Sequence, residues 1–158
     1  MVRLDLFDEA AVFLESSNQG RTWFVRDARL IARAAAIGRS YEALQAASAI
    51  ASMIARNPVP AEGRAAATAL LRAALAALAG QADPELVLLK SLYRFGRDEG
   101  YPLSQQWLPS LPAELRREAE RLLRTPLADI GSSSGIAHLP NLRRRLEEYL
   151  REHTDILV

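Results

Sequence analysis

The sequence predicts a mainly α-helical protein, with a helical bundle of about six helices that follows a short N-terminal β element. Apolar residues recur at three-to-four spacing over most of the chain, which is the period of an amphipathic helix. Alanine is abundant and aromatic residues make up only 6% of the sequence, a balance that favours helices packed closely through small side chains. Period-two alternation is confined to the amino-terminal part. We therefore assign residues 1–25 to the β element and residues 26–158 to one α-helical domain.

Three short segments with the pattern of strands make up the predicted β element. Residues 2–7 alternate apolar and charged side chains, and residues 10–15 and 22–25 are rich in residues that favour strands. The sequence SSNQG at residues 16–20 is typical of a turn. Because three short strands by themselves are marginally stable in water, we expect them to pack against the helices or to belong to a larger sheet.

A glycine separates the first two predicted helices. Residues 26–36 are expected to form a short helix, which Gly38 ends. Ser40 is then expected at the N-cap of a longer helix, because apolar residues follow at helical spacing from Tyr41 to Ile54. A serine at that position accepts a hydrogen bond from the first turn and so marks where the second helix begins.

Four further helices are predicted between loops that contain proline and glycine. Asp83 and Pro84 are expected to open one of them, because proline lacks the N–H that a first helical turn leaves unpaired. These helices occupy residues 64–79, 84–99, 113–124 and 139–153. The loops, which include an irregular stretch and a flexible Gly-Ser connector, occupy residues 57–63, 101–112 and 131–135.

Cysteine is absent from the sequence, which excludes disulfides, thiol catalysis and cysteine-ligated zinc. His138 and His153 are the two imidazoles, and neither belongs to a spacing that binds metal. The sequence has no phosphate-binding glycine loop, no Gly-x-Ser-x-Gly nucleophile and no carboxylate pair in apolar surroundings. We therefore predict no catalytic residue, no metal site and no cofactor, and we expect a protein that is not an enzyme.

The beginning of the chain does not have the pattern of a secretory leader, because residues 1–8 are acidic and lack a continuous apolar run. Arginines interrupt the longer apolar stretches before these reach the length that spans a bilayer. These features predict a cytoplasmic protein without a membrane partner.

Positive charge is concentrated in the middle of the chain and is almost entirely arginine. Of the 20 basic residues only Lys90 is a lysine, and residues 21–72 hold eight arginines against three carboxylates. The candidate nucleic-acid-binding residues are Arg21, Arg26, Arg29, Arg33 and Arg39. They would either follow a phosphate backbone, which makes binding salt-dependent, or form the solvated face of a helix. Trp23 and Phe24 would either stack on bases or lie in the core.

A second group of cations lies on the helix predicted at residues 84–99. Lys90, Arg94 and Arg97 are spaced at i, i+4 and i+7, which places them on one stripe beside an apolar face. They would either form a solvated face, with an ordinary ion pair between Arg94 and Asp98, or line a groove that receives a phosphate or a peptide carboxylate.

The segment DPELVLLKSLYRFGRDEGY, at residues 83–101, resembles a segment of the RecO family of bacterial recombination mediators. The shared features are an Asp-Pro-Glu-Leu start, an arginine at Arg94 and a Gly-Tyr-Pro end at residues 100–102. Upstream, RLDLF resembles the last strand of the RecO OB barrel, TWFVRDARLIA the strand and helix that follow it, and YEALQAASAIASMI the next long helix. Downstream, LPAELRREAERLLRTPLADI and LRRRLEEYLREHTDIL resemble its last helices. The resemblance therefore covers nearly the whole chain in the same order.

The resemblance implies a mediator of recombinational repair that is not an enzyme. Such a protein binds single- and double-stranded DNA, pairs with RecR, and receives the acidic, apolar-ended tail of single-stranded DNA-binding protein on its helical part. The motif assigns Arg94 to the tail, and spacing adds Lys90 and Arg97. The β element would be the end of an OB-like barrel, most of which is absent from this sequence, as are the four zinc cysteines of many family members.

Two other interpretations stay open at this point. One is a helical protein–protein adaptor that does not bind DNA. The other is an enzyme of an unrecognised kind that uses Arg94 and nearby carboxylates. Binding of single-stranded DNA with a steep salt dependence would favour the mediator over both.

Overall fold

The computed structural model describes residues 3–126, Asp129 and residues 136–158, so the predicted connector at residues 131–135 lies outside the described residues. The protein is mainly α-helical, as predicted, with 59% of it in helices. The two strands are β1 (Glu9–Ser17) and β2 (Thr22–Ala32). The helices are α1 (Tyr41–Arg56), α2 (Arg64–Ala79), α3 (Pro84–Asp98), α4 (Trp107–Ser110), α5 (Ala113–Arg124) and α6 (Leu139–His153).

The two strands form one antiparallel hairpin, which differs from the predicted β element in two ways. Residues 3–7 do not form the predicted first strand. The helix predicted at residues 26–36 is wrong, because β2 continues to Ala32. The pairing register shifts between Phe13 and Leu14, which leaves Arg26 as an extra residue in β2. Such a bulge interrupts the alternation of the two faces along a strand. The sequence of β2 therefore lacks a continuous period of two, which led to the prediction of a helix.

The other predicted helices are confirmed, and three of them have the predicted bounds. These are α2, α5 and α6. Gly80 and Pro126 follow the ends of α2 and α5, and Pro140 marks the start of α6. Ser40 caps α1 as predicted, because its Oγ accepts a hydrogen bond of 3.2 Å from the backbone N–H of Ala43. The stretch predicted as irregular contains the short helix α4, in which Trp107 is buried.

Helix α3 ends in a turn that accounts for the Gly-Tyr pair of the sequence. Gly100 has φ +92°, and its N–H donates to the carbonyl of Arg97 at 3.0 Å. The N–H of Tyr101 donates to the carbonyl of Gly96 at 3.1 Å. This pair of bonds is the Schellman motif, in which glycine adopts the left-handed conformation without a steric penalty.

Helix α3 is the element around which the helical part is packed, since it contacts α1, α2 and α6. Its residues belong to two apolar clusters. Leu89, Leu92 and Phe95 lie in the larger one, together with the apolar sides of α5 and α6. Val87 lies in the smaller one, which contains four buried alanines of α1 and α2 together with Ile50 and Leu78. The abundance of alanine therefore permits the close approach of α1 and α2.

Helix α6 is joined to α3 by an ion pair that the sequence did not indicate. The run of three arginines at residues 143–145 has the pattern of a solvated face, but the side chain of Arg143 is only 26% exposed. Its Nε donates to Glu85 Oε2 at 2.7 Å, and its Nη1 donates to Glu147 Oε1 at 2.6 Å. Arg143 is thus an inter-helix contact, because α3 supplies one of its two carboxylates.

Candidate functional site

A groove of about 440 Å³ lies where α2, α3 and the carboxyl end of α5 meet. We call it the arginine groove. Its lining residues are Leu70, Ala73, Lys90, Tyr93, Arg94, Arg97, Leu123, Arg124, Thr125 and Pro126. All three cations of the predicted stripe on α3 therefore line a single groove.

One wall of the arginine groove is apolar. Leu70 of α2 and Leu123 of α5 both line the groove. Leu123 is half-buried and presents carbon surface, whereas Leu70 is almost fully buried and lies beneath the groove surface. Tyr93 is also half-buried, and its ring packs at a tilt against Trp107, with 5.9 Å between ring centroids. Burial raises the pKa of Tyr93, so its hydroxyl is neutral at physiological pH. The groove thus offers apolar surface next to guanidinium groups.

Arg94 and Arg97 share one carboxylate. The Nε of Arg94 lies 3.5 Å from Asp98 Oδ2, and Arg97 Nη2 lies 3.2 Å from Asp98 Oδ1. The ion pair predicted between Arg94 and Asp98 is therefore present, but a single carboxylate faces two guanidinium groups. The side chains of Arg94 and Arg97 are 46% and 58% exposed, which leaves N–H donors open to solvent or to an anion.

Lys90 also lines the groove, but its donors are directed into the protein. Its Nζ donates to the carbonyl of Leu122 at 2.6 Å, to that of Leu123 at 3.4 Å, and also to that of Thr125. An ammonium group has three N–H donors, and these three carbonyls use them. Lys90 therefore does not have the free donors that a direct contact with a partner's carboxylate requires.

Arg124 is a groove residue that the sequence analysis missed. It lies in the last turn of α5, and its side chain is exposed. Among the described residues it has no ion-pair partner. Its sequence neighbours predict only a helix end, and the packing of α5 against α3 brings it beside Arg94 and Arg97 in the groove. The groove therefore has three arginines with exposed side chains.

The hairpin carries a second group of candidate residues. Side chains paired across two strands share a face, and so do alternate positions along a strand. Phe13 and Glu15 therefore lie on the same face as their cross-strand partners Asp27 and Phe24. Arg29 lies on this face too, because its partner is the residue two positions before Phe13. Arg26 reaches this face from the bulge, because its Nη1 donates to Glu15 Oε2 at 2.7 Å. We call this side of the hairpin the aromatic–arginine face.

Both phenylalanines of the aromatic–arginine face are open to solvent. Phe13 is 56% exposed and Phe24 is 55% exposed. On the opposite face Leu14 pairs with Val25, and Trp23 is 61% exposed. Of the two alternatives for Trp23 and Phe24, a place in the core is therefore wrong, because both side chains are more than half exposed. Phe13 was missed, since its isolated segment gave no indication of which face it would occupy.

The five candidate nucleic-acid-binding arginines do not lie on one helical face, because most of them are in or beside β2. Arg21 is exposed next to the hairpin turn, and Arg39 is exposed just before α1. Arg33 donates to the carbonyl of Arg3 at 3.3 Å and lies 3.9 Å from Asp8. Only Arg26 and Arg29 therefore belong with the exposed phenylalanines.

Comparison of the chain with protein-family models, with curated proteins and with solved structures finds no match. Among the described residues there is no cluster of three or more acidic or histidine side chains that could hold a metal ion. None of the described helices combines the length and the apolar character that crossing a membrane requires. The proposals that follow therefore rest on the arginine groove and on the hairpin.

Proposed function

We propose that this chain is a RecO-like recombination mediator, or a part of one, that binds an acidic protein tail in the arginine groove and DNA on the hairpin. The tail would be that of single-stranded DNA-binding protein. The observation that carries the proposal is the arginine groove, in which three exposed guanidinium groups stand beside an apolar wall. No residue of the chain is assigned to RecR.

The chemistry of the groove suits a peptide that combines carboxylates with an apolar end. Guanidinium groups form charge-assisted, often forked hydrogen bonds to carboxylates, which are stronger than neutral hydrogen bonds. Arg94, Arg97 and Arg124 supply such donors against the single carboxylate of Asp98. The apolar end would lie against Leu123 and the ring of Tyr93, where it displaces water from carbon surface.

The aromatic–arginine face suits single-stranded DNA. Bases stack on exposed aromatic rings, while arginines contact the phosphates between them. Phe13 and Phe24 provide two rings on one face, with Arg26 and Arg29 close by. Duplex DNA would contact the arginines only, because its bases are already stacked on one another.

The groove is tested with a fluorescently labelled peptide that has several aspartates and a carboxyl-terminal phenylalanine. We expect binding that Arg94→Ala or Arg124→Ala weakens about tenfold each, since a hydrogen bond to a charged group contributes about 1.5 kcal/mol or more. Arg117→Ala is the matched control, because Arg117 is exposed on α5 but outside the groove. Equal binding by all variants would refute the groove assignment. Amidation of the peptide's carboxyl terminus removes the terminal carboxylate, so the change in affinity shows how much of the binding comes from that group and how much from the aspartates.

The hairpin is tested with labelled single-stranded DNA at two salt concentrations. We expect the affinity for DNA to fall steeply as salt increases. The double substitution Arg26→Ala with Arg29→Ala should lower the slope of this dependence by the equivalent of about two ionic contacts. The pair Phe13→Ala and Phe24→Ala should lower affinity by about 1–3 kcal/mol per base lost. The matched control is Val12→Ala with Val25→Ala on the opposite face. If the control loses as much affinity, the loss comes from damage to the hairpin.

The adaptor interpretation makes a different prediction for the same two assays. An adaptor would bind the acidic peptide but would bind neither single- nor double-stranded DNA. Binding of DNA without binding of the peptide would instead support the assignment of DNA to the hairpin and refute the assignment of an acidic tail to the arginine groove.

A further inference from the structure

We propose that Lys90 is a positioning residue of the arginine groove, which shields the carboxyl end of α5 from an acidic peptide and fixes the α5 wall without touching the peptide. This inference rests on the proposed peptide-binding function of the groove. It starts from the observation that the only lysine of the chain donates to main-chain carbonyls at the end of one helix.

The carbonyls that Lys90 binds have no partner within α5 itself. The last four carbonyls of an α-helix lack an N–H from the following turn. Leu122 and Leu123 lie in the last turn of α5, and Thr125 is its C-cap. Lys90 reaches all three from α3. The hydroxyl of Thr125 donates in turn to the carbonyl of Arg121 at 3.1 Å. Side chains therefore satisfy the end of α5.

The helix end has an unfavourable charge for the proposed ligand. The carboxyl end of a helix carries a partial negative charge of about half an electron, which repels anions. Residues 123–126, at and just after this end, line the arginine groove. Without a cation there, the groove would present carbonyl dipoles to the carboxylates of the peptide. Lys90 places a positive charge on those carbonyls, so Arg94, Arg97 and Arg124 can attract an anion.

Burial supports a positioning role for Lys90 over direct contact. The side chain is half-buried between α3 and α5, and burial lowers the pKa of Lys90. A lysine that binds an exposed ligand would keep its ammonium in water, whereas this ammonium is surrounded by carbonyl oxygens. Arg94 and Arg97, one and two turns further along α3, have the opposite character, since their side chains are exposed and bind no main-chain carbonyls among the described residues.

The two roles differ in their effect on the salt dependence of binding. Loss of a cation that contacts the peptide removes one ionic contact and flattens the dependence of affinity on salt. Loss of a cation that shields carbonyls weakens binding but leaves the number of contacts between peptide and protein unchanged. We therefore expect Lys90→Met to weaken binding of the acidic peptide about tenfold with a smaller change of salt slope than Arg94→Ala causes, because salt screens the half-buried ammonium less than an exposed guanidinium.

The experiment measures affinity for the labelled acidic peptide at four salt concentrations, together with amide hydrogen exchange of α5 in the free protein. Lys90→Met should accelerate exchange in the last turn of α5, and Lys90→Arg should restore both protection and affinity, because guanidinium donors reach the same carbonyls. Lys90→Gln, which keeps an N–H donor without the charge, replaces Lys90→Met if the methionine variant does not fold. Lys90→Gln should keep the wild-type protection of α5 from exchange but should bind the peptide about tenfold more weakly than the wild type.

Three outcomes would overturn the inference. If Lys90→Met binds the peptide as tightly as the wild type, Lys90 does not shield the helix end. If Lys90→Met flattens the salt slope as much as Arg94→Ala does, Lys90 contacts the peptide directly. Unchanged hydrogen exchange in α5 removes the positioning role whether or not the peptide binds. If the wild type does not bind the peptide while exchange in α5 responds as expected, the proposed function fails and the contact of Lys90 with α5 remains as a structural one.

Discussion

The side-chain amide of Asn57 binds the backbone of Leu157, which lies 100 residues later in the chain. Its Nδ2 donates to the carbonyl of Leu157 at 3.0 Å, and its Oδ1 accepts from the N–H of Leu157 at 2.9 Å. The same Nδ2 donates to the carbonyl of Met53 at 2.7 Å. The side chain of Asn57 is buried, and these bonds fix the chain after α6 to the end of α1.

Replacement of Asn57 by leucine should destabilise the protein by about 1–3 kcal/mol, because it leaves the part-buried N–H and carbonyl of Leu157 without these partners, whereas the Met53 carbonyl keeps the backbone N–H of Asn57. Urea unfolding measures the change. Asn141→Leu is the control, since among the described residues the amide of Asn141 makes a single long contact, of 3.4 Å, with Arg144. We expect that control to change stability by less than about 0.5 kcal/mol. Equal effects of the two substitutions would contradict a structural role for the Asn57 bonds.

Replacement of Gln81 by glycine should stabilise the protein by about 0.5 kcal/mol. Gln81 follows α2 with φ +65°, and the N–H of Ala82 donates to the carbonyl of Ala77 at 3.0 Å, as in the turn that ends α3. A side chain in this left-handed conformation costs about 1–2 kcal/mol, part of which the greater flexibility of unfolded glycine offsets.

The control for this substitution is Gln45→Gly, which lies on the exposed face of α1. It should lower stability by about 1 kcal/mol, because glycine is a poor helix former. Thermal and urea unfolding of the two variants should therefore give shifts of opposite sign. A loss of stability in Gln81→Gly would show that the side chain of Gln81 contributes more than its backbone strain costs.

Replacement of Gly96 by alanine should destabilise the protein by about 1–3 kcal/mol. A Cβ atom at this position would lie 2.9 Å from Leu103 Cδ1 and 3.2 Å from Leu150 Cδ2. Both leucines are fully buried, so they move aside only by disturbing the packing of α3 against α6. Gly38→Ala is the control, because no atom lies within 4 Å of its added Cβ. Chemical unfolding that gives the same stability for both variants would contradict this reading of the packing.

Replacement of Ser40 by alanine should lower stability by about 1 kcal/mol through loss of the cap of α1. It should also raise the pKa of Glu42, which a hydrogen bond from its own backbone N–H and one from the Ser40 hydroxyl hold below its ordinary value. Because the folded pKa is depressed, the contribution of Glu42 is present above the unfolded pKa and is lost as pH falls through the folded pKa.

Carboxyl NMR titration measures the pKa of Glu42 in both proteins, and urea unfolding measures their stability. The control is Ser48→Ala in the exposed middle of α1, where alanine is the better helix former and stability should hold or rise slightly. If Glu42 titrates at the same pH with and without the Ser40 hydroxyl, the hydrogen bond between them does not form in solution.

Much of the helical architecture could be predicted because its signals are local. Ser40 and Asp83 cap α1 and α3 through their own side chains, and Gly80 and Pro126 mark the ends of α2 and α5 within one or two residues. Such interactions involve neighbours in sequence, so the residue types reveal them. The hairpin could not be predicted to the same extent, since the bulge at Arg26 hides its alternation.

The sequence by itself determined a mainly α-helical chain, the ends of most of its helices and the stripe of cations on α3. Only the tertiary structure decided what each cation does. Lys90, Arg94 and Arg97 are equivalent by spacing, but α5 packs against the first and leaves the other two exposed beside Arg124. The physical reason is that helical periodicity fixes the side of a helix on which a residue lies, whereas the neighbouring helix determines which of its donors are already occupied.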